Sequence, residues 1–78
     1  MNAHTEVARV VAAMAPNQGV AVTAESRLTA DLGYDSLRLM ELTMALEKHF
    51  GLPPVDFERA ATVTTVADVT RLVEGVAA

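Results

Sequence analysis

Fifteen residues, Ser36 to Phe50, constrain this chain most, because they read as an amphipathic helix with a hard stop. Leu39, Leu42, Leu46 and Phe50 recur at the spacing of one helical face. Gly51 and then Pro53-Pro54 end the run, glycine as a C-terminal cap and the prolines by opposing continuation. At 3.6 residues per turn, Leu37, Met40 and Met44 form a second apolar stripe nearly opposite the first, flanked by Glu41, Glu47 and Lys48. A chain of 78 residues builds one small core. Both stripes cannot easily be buried in it. Either a short neighbouring helix covers the second, or it stays exposed for a partner, as apolar surface with a charged rim often does.

The rest of the chain supplies smaller pieces. Thr5 is an expected N-cap, and Val7, Val10, Val11 and Met14 mark one face of a first helix over roughly residues 5–15. Pro16-Asn17-Gln18-Gly19 stops it. A connection follows from Val20 to Tyr34, long for so small a domain, with Val20, Val22, Leu28 and Leu32 as apolar anchors. Val20-Ala21-Val22-Thr23 could pass for a strand, but no second strand pattern exists to pair with it. After the prolines, Asp56 can cap only a short helix over Phe57 to Ala61. Thr65 with Asp68 three residues on imitates a capping box for a last helix, whose apolar face is Val66, Val69, Leu72, Val73 and Val76. Gly75 and the Ala-rich end predict fraying there. The expected architecture is all-α: a bundle of three main helices plus one short one, with residues 1–78 as a single domain.

Several function classes are excluded early. The chain has no Cys, so neither disulfides nor thiolate metal sites hold it together. Its net charge of −4 argues against a nucleic-acid binder, which needs clustered Lys and Arg. No apolar run is long enough to span a membrane, and the first residues lack the basic and apolar blocks of a signal peptide. The expected location is the cytoplasm.

The junction Leu32-Gly33-Tyr34-Asp35-Ser36-Leu37 carries the chemical question. Asp and Ser are favoured helix caps, and on its own the tripeptide Asp35-Ser36-Leu37 says no more than that. A nucleophilic Ser36 would need a base. His4 is expected in a flexible tail. His49 lies thirteen residues along the helix, roughly 20 Å away at about 1.5 Å per residue. The G-x-S-x-G elbow is also missing. No catalytic residue and no metal site is expected. What remains is a hydroxyl at a helix N-terminus after a flexible loop, where backbone N–H groups and the helix dipole favour an anion such as a phosphodiester. Asp35 opposes it by like charge.

From Leu28 to Phe50 the chain resembles the acyl carrier protein family, which bears 4′-phosphopantetheine on a serine. The matching block is Leu28-x-x-Asp31-Leu32-Gly33-Tyr34-Asp35-Ser36-Leu37, then Glu41-Leu42-x-Met44-Ala45-Leu46-Glu47-x-x-Phe50-Gly51. The likeness extends over nearly the whole chain. It implies Ser36 as the covalent attachment site of a 4′-phosphopantetheine from coenzyme A, whose thiol carries substrates as thioesters. It implies a recognition face of Asp35, Leu37, Met40, Glu41, Met44 and Glu47. Leu39, Leu46, Phe50 and Val63 become candidates to line an acyl-chain site between helices, with plain core packing as the equal alternative. The implied partners are a phosphopantetheinyl transferase and a ketosynthase, acyltransferase or other acyl-loading and tailoring enzymes, and the carrier is expected to be a monomer.

Two departures shape the pathway reading. Arg38 directly follows Leu37, and Lys48-His49 ends the helix, which makes it less acidic than in many fatty-acid carriers. Leu-Gly-Tyr-Asp-Ser-Leu resembles free-standing polyketide carriers more than peptidyl carriers. Polyketide or related specialised acyl biosynthesis is therefore expected. An aminoacyl carrier is the alternative, and an unmodified helical adaptor using the Leu37, Met40, Met44 stripe is the competing class.

Overall fold

Asp35, Asp56 and Thr65 each end a connection and start a helix. The Asp35 carboxylate accepts the Arg38 backbone N–H at 2.8 Å, and that of Asp56 accepts the Glu58 N–H at 3.0 Å. Thr65 and Asp68 cap reciprocally: the Asp68 N–H donates to Thr65 Oγ1 at 3.2 Å, and the Thr65 N–H donates to Asp68 Oδ2 at 3.1 Å. The computed structural model describes residues 3–77, and these caps fix helices α2 (Ser36–Phe50), α3 (Phe57–Ala60) and α4 (Val66–Ala77). Gly51 closes α2 in the left-handed conformation at φ 65°. The architecture is all-α among the described residues, with the expected three main helices and one short one.

The first helix, α1, runs Ala3–Met14 and so begins earlier than Thr5. Thr5 is an exposed residue inside the first turn, not its cap. The helix-forming Ala3 carries the pattern back past it. His4, expected in a flexible tail, is a half-buried residue of the same turn. At the other end, α4 continues through Gly75 to Ala77, where fraying was expected.

The core gathers Val7, Val11 and Ala15 from the α1 side, Leu42 and Leu46 from α2, and Val66, Val69 and Val73 from α4. Leu28, Leu32 and Tyr34 of the long connection complete it. Val22 packs against this core, whereas Val20, beside the Gly19 turn, is exposed and anchors nothing. The connection contains no strand, but it is not loose. The Leu28 N–H donates to the Thr64 carbonyl at 2.9 Å, the Val66 N–H to the Ser26 carbonyl at 3.1 Å and the Ala67 N–H to the Ala24 carbonyl at 2.9 Å. Arg27 and Thr65 form an isolated antiparallel bridge there. The long connection is thus stitched by backbone bonds to the start of α4.

Candidate functional site

The end of α1 builds the platform for the Ser36 junction. A helix leaves its last carbonyls without partners inside the helix, and residues from outside meet them here. Tyr34 Oη donates to the Val11 carbonyl at 2.7 Å, Gln18 Nε2 to the Ala12 carbonyl at 3.1 Å, and Arg38 Nε to the Met14 carbonyl at 2.8 Å. Arg38 thereby supplies the positive charge that the last turn of α1 lacks. One end of α1 holds both sides of the Asp35-Ser36 step.

The approach to that step is equally tied. Asp31 Oδ2 accepts the Arg27 N–H at 2.8 Å, and the Tyr34 N–H donates to the Leu28 carbonyl at 2.9 Å. The Asn17 N–H donates to the Leu32 carbonyl at 3.0 Å. Gly33 turns the chain at φ +82°, and a Cβ there would lie 3.0 Å from the Asn17 side chain. The flexible loop expected before Ser36 is instead a hydrogen-bonded turn. Tyr34 is its buried pin. Its burial pushes the phenol up to about 12, against a smaller opposing effect of the Arg38 charge.

Ser36 is the first residue of α2 and is exposed, and no described residue hydrogen-bonds its hydroxyl. Asp35 beside it spends one carboxylate oxygen on the Arg38 N–H. His49, the only histidine on α2, sits thirteen residues away, near the far end. There its Nε2 lies 3.1 Å from Glu6 Oε1 and its ring meets Phe50 edge-on. The geometry gives Ser36 no base on its own helix. It does present a reachable hydroxyl at a helix N-terminus, which suits a phosphodiester.

The second stripe of α2 stays uncovered. Leu37, Met40 and Met44 are 67%, 45% and 59% exposed. The short helix α3 does not bury them but sets Phe57, itself 40% exposed, at their edge. Met40, Thr43, Met44, Glu47, Val55 and Phe57 line a shallow hollow of about 120 Å³ there. The acidic members of the face are engaged from within: Glu41 pairs with Arg38 at 3.3 Å, and Glu47 Oε2 accepts the Val55 N–H at 2.6 Å.

On the inner side, Leu39, Leu46 and Val63 line a narrow cavity of about 20 Å³ between α2, α3 and α4, together with Leu52, Val55 and Leu72. Phe50 does not line it; its side chain packs against the core and its ring meets that of His49 edge-on. As built, this space admits about one water, so a chain could enter only if these helices moved apart. Sequence reasoning missed Asn17, Gln18 and the pinning role of Tyr34. The one available signal for Tyr34 was its place after the buried anchors Leu28 and Leu32. No helix among the described residues is long and apolar enough to cross a membrane.

A family model described as a phosphopantetheine attachment site matches residues 5–73. An acyl carrier protein of Helicobacter pylori is 39% identical over 69 residues, covering 88% of this chain and 87% of that protein. One of Rickettsia bellii is 38% identical, over 85% of this chain and 79% of its own length. Among solved structures, one described as an acyl carrier protein of Mycobacterium tuberculosis superposes with a TM-score of 0.80 at 29% identity, covering 94% of this chain and 96% of that one. The acetyl form of the actinorhodin acyl carrier protein of Streptomyces coelicolor gives 0.75 at 27% identity, covering 94% and 87%.

Proposed function

The chain belongs to the acyl carrier protein family, whose prosthetic group is 4′-phosphopantetheine, and from that premise we propose that Ser36 bears the group and that the chain serves polyketide or related specialised acyl biosynthesis. The observation that carries the first part is the exposed, unengaged Ser36 hydroxyl at the N-terminus of α2, inside the matched region. The bound group supplies a thiol that holds acyl cargo as a thioester. In its attachment the Ser36 Oγ–P bond forms as the anhydride bond of coenzyme A breaks, and the serine proton and the adenosine bisphosphate depart.

The residues around Ser36 hold and present it. Gly33 and Tyr34 set the direction in which the chain enters α2, and Asp35 fixes the first turn through the Arg38 N–H. The remaining first-turn N–H groups and the positive helix end favour the phosphodiester, an effect of about 0.3–1 kcal/mol at an exposed position. Leu37, Met40 and Met44, with Asp35, Glu41 and Glu47 around them, form the face that acyl-handling enzymes read. A small face suits brief encounters, which successive handover requires.

The pathway reading rests on Leu32-Gly33-Tyr34-Asp35-Ser36-Leu37, on the basic residues Arg38 and Lys48 in α2, and on the likeness to the actinorhodin carrier. Incubation with coenzyme A and a broad-specificity phosphopantetheinyl transferase should add the mass of one phosphopantetheine, and Ser36→Ala should stay unmodified. An unmodified wild-type chain beside a working control carrier would sink the assignment. Loading of the modified protein should then proceed from a malonyl thioester and an acyltransferase. Loading only by an adenylating enzyme with an amino acid would point to the peptidyl alternative.

A further inference from the structure

The turn before Ser36 and the start of α4 share one end of the bundle, because the long connection is hydrogen-bonded to residues 64–67. An open hollow of about 330 Å³ lies there, lined by Arg27, Thr29, Ala30, Val63 and Thr64. Its lining offers one guanidinium and two hydroxyls beside the apolar side chains of Ala30 and Val63, and no carboxylate. Arg27, Thr29 and Thr64 are exposed. Among the described residues no carboxylate pairs with the Arg27 guanidinium, and no partner engages the Thr29 or Thr64 hydroxyl.

The acidic groups nearby are used elsewhere. Asp31 Oδ2 accepts the Arg27 backbone N–H at 2.8 Å. Asp68 Oδ2 accepts the Thr64 and Thr65 N–H groups at 2.9 and 3.1 Å, and its Oδ1 pairs with Arg71. Val63 also borders a second hollow, whose charged lining is Arg59, Arg71 and Asp68 and so carries one net positive charge. Glu25, Glu58 and Glu74 are exposed and line neither hollow. In a chain of net charge −4 this end is locally cationic.

From this we infer that the Arg27 hollow seats the free carboxylate of an acyl group carried on the Ser36 arm, so that dicarboxylic cargo of the malonyl class is held there and acetyl cargo is not. The planar guanidinium matches the two oxygens of a carboxylate. The threonine hydroxyls supply further donors, and Ala30 and Val63 meet the adjoining methylene. A phosphate dianion would find a single guanidinium, and a plain hydrocarbon chain would leave all three polar groups unused. The reach is short. The Thr29 carbonyl accepts the Gly33 N–H at 3.2 Å, and the three residues from Gly33 to Ser36 span at most about 11 Å. An extended phosphopantetheine, with its two amide units, exceeds that. One exposed pair holds weakly, as suits cargo that must leave again. The inference rests on the proposed role of Ser36, because only an arm fixed there brings cargo to this end of the bundle.

The test uses the isotope-labelled full chain bearing malonyl- or acetyl-phosphopantetheine, each installed from its coenzyme A thioester by a broad-specificity transferase. At neutral pH the amide resonances of Thr29, Ala30 and Thr64 should shift in the malonyl form relative to the acetyl form. Those malonyl-specific shifts should be lost in Arg27→Gln, shown folded by circular dichroism, and kept in part in Arg27→Lys, which retains the cation. The wild-type pair decides the matter even where a variant fails to fold. Malonyl and acetyl forms that agree at these three residues, or malonyl-specific shifts that survive Arg27→Gln, would overturn the inference and leave the carrier assignment standing. A wild-type chain that accepts neither arm beside a working control carrier removes the carrier assignment, and the inference with it.

Discussion

The hydroxyl of Tyr34 donates a 2.7 Å hydrogen bond to the carbonyl of Val11, joining the turn before Ser36 to the last turn of α1 across 23 residues of sequence. Tyr34 is the only tyrosine and the chain has no Trp, so ultraviolet absorbance reads this one group directly. Burial raises its pKa from 10.0 to about 12. The folded value lies above the unfolded one, so the stability it contributes is complete below pH 10 and is lost as pH rises through about 12. Tyrosinate absorbance should therefore lag far behind that of a denatured sample, and base unfolding should set in over this window. Absorbance rising at pH 10 in folded protein would show that the pin is open. Tyr34→Phe keeps the ring, loses the bond and should cost about 1–2 kcal/mol in urea unfolding.

Gly33 answers to a different constraint. Its φ of +82° is costly for any residue with a Cβ, and that Cβ would meet the Asn17 side chain at 3.0 Å. Gly33→Ala should lose about 1–2 kcal/mol. Because Gly33 aims the chain into Asp35 and Ser36, the variant should also be modified more slowly by the transferase at a temperature where it is still folded. Unchanged stability by urea melt together with an unchanged rate would show that the turn relaxes freely.

What the sequence made legible follows from distance along the chain. The stop of α2 at Gly51, the cap at Asp56 and the Thr65–Asp68 box are signals between residues one to three apart, and each is where it was expected. The apolar periods of α1 and α2 likewise face the core as read, as do Val66, Val69 and Val73 of α4. The ties of Tyr34 to Val11, of Arg38 to Met14 and of Asn17 to Leu32 join residues 23, 24 and 15 apart, and nothing local announces them. Arg38 was noticed only as a charge that weakened the acidity of α2. It proves to be the group that closes the end of α1. The turn before Ser36 read as flexible partly for the same reason, since its local bonds, such as Tyr34 N–H to the Leu28 carbonyl, are joined by distant ones to Asn17 and Val11. Thr5 failed as a cap because the helix already includes Ala3, a strong helix former, ahead of it.

The Thr65–Asp68 box ties acid stability to one carboxylate. Asp68 is held below its ordinary value of 3.8, first by the backbone N–H groups of Thr64 and Thr65 and then by the Arg71 guanidinium, which pairs with its other oxygen. Its folded pKa lies below the unfolded one, so its contribution is present above pH 3.8 and is lost as pH falls through the lowered value. Asp68→Asn cannot carry the charge. At neutral pH it should be less stable than wild type, and the difference should shrink below pH 3.8. Parallel urea melts at neutral and acid pH test this. A difference that stays constant with pH would mean that the carboxylate's charge plays no part.

Gly75 offers a change in the opposite direction. It lies inside α4 with no positive φ, so the backbone there does not need glycine. A Cβ at that position would find the end of the Arg59 side chain at 3.6 Å, ordinary van der Waals contact with a group able to move. Glycine in a helix interior costs about 0.5–1 kcal/mol relative to alanine, chiefly in the entropy of the unfolded chain. Gly75→Ala should therefore stabilise the protein, by less than that figure because the site is only two residues from the helix end at Ala77. The gain should appear as a raised urea midpoint with an unchanged slope. Gly75 belongs to neither the Ser36 junction nor the α2–α3 face, so the phosphopantetheine transfer rate should stay at the wild-type value. A destabilised variant would mean that Arg59 cannot yield the space, which would make its place against α4 a fixed part of how α3 is held.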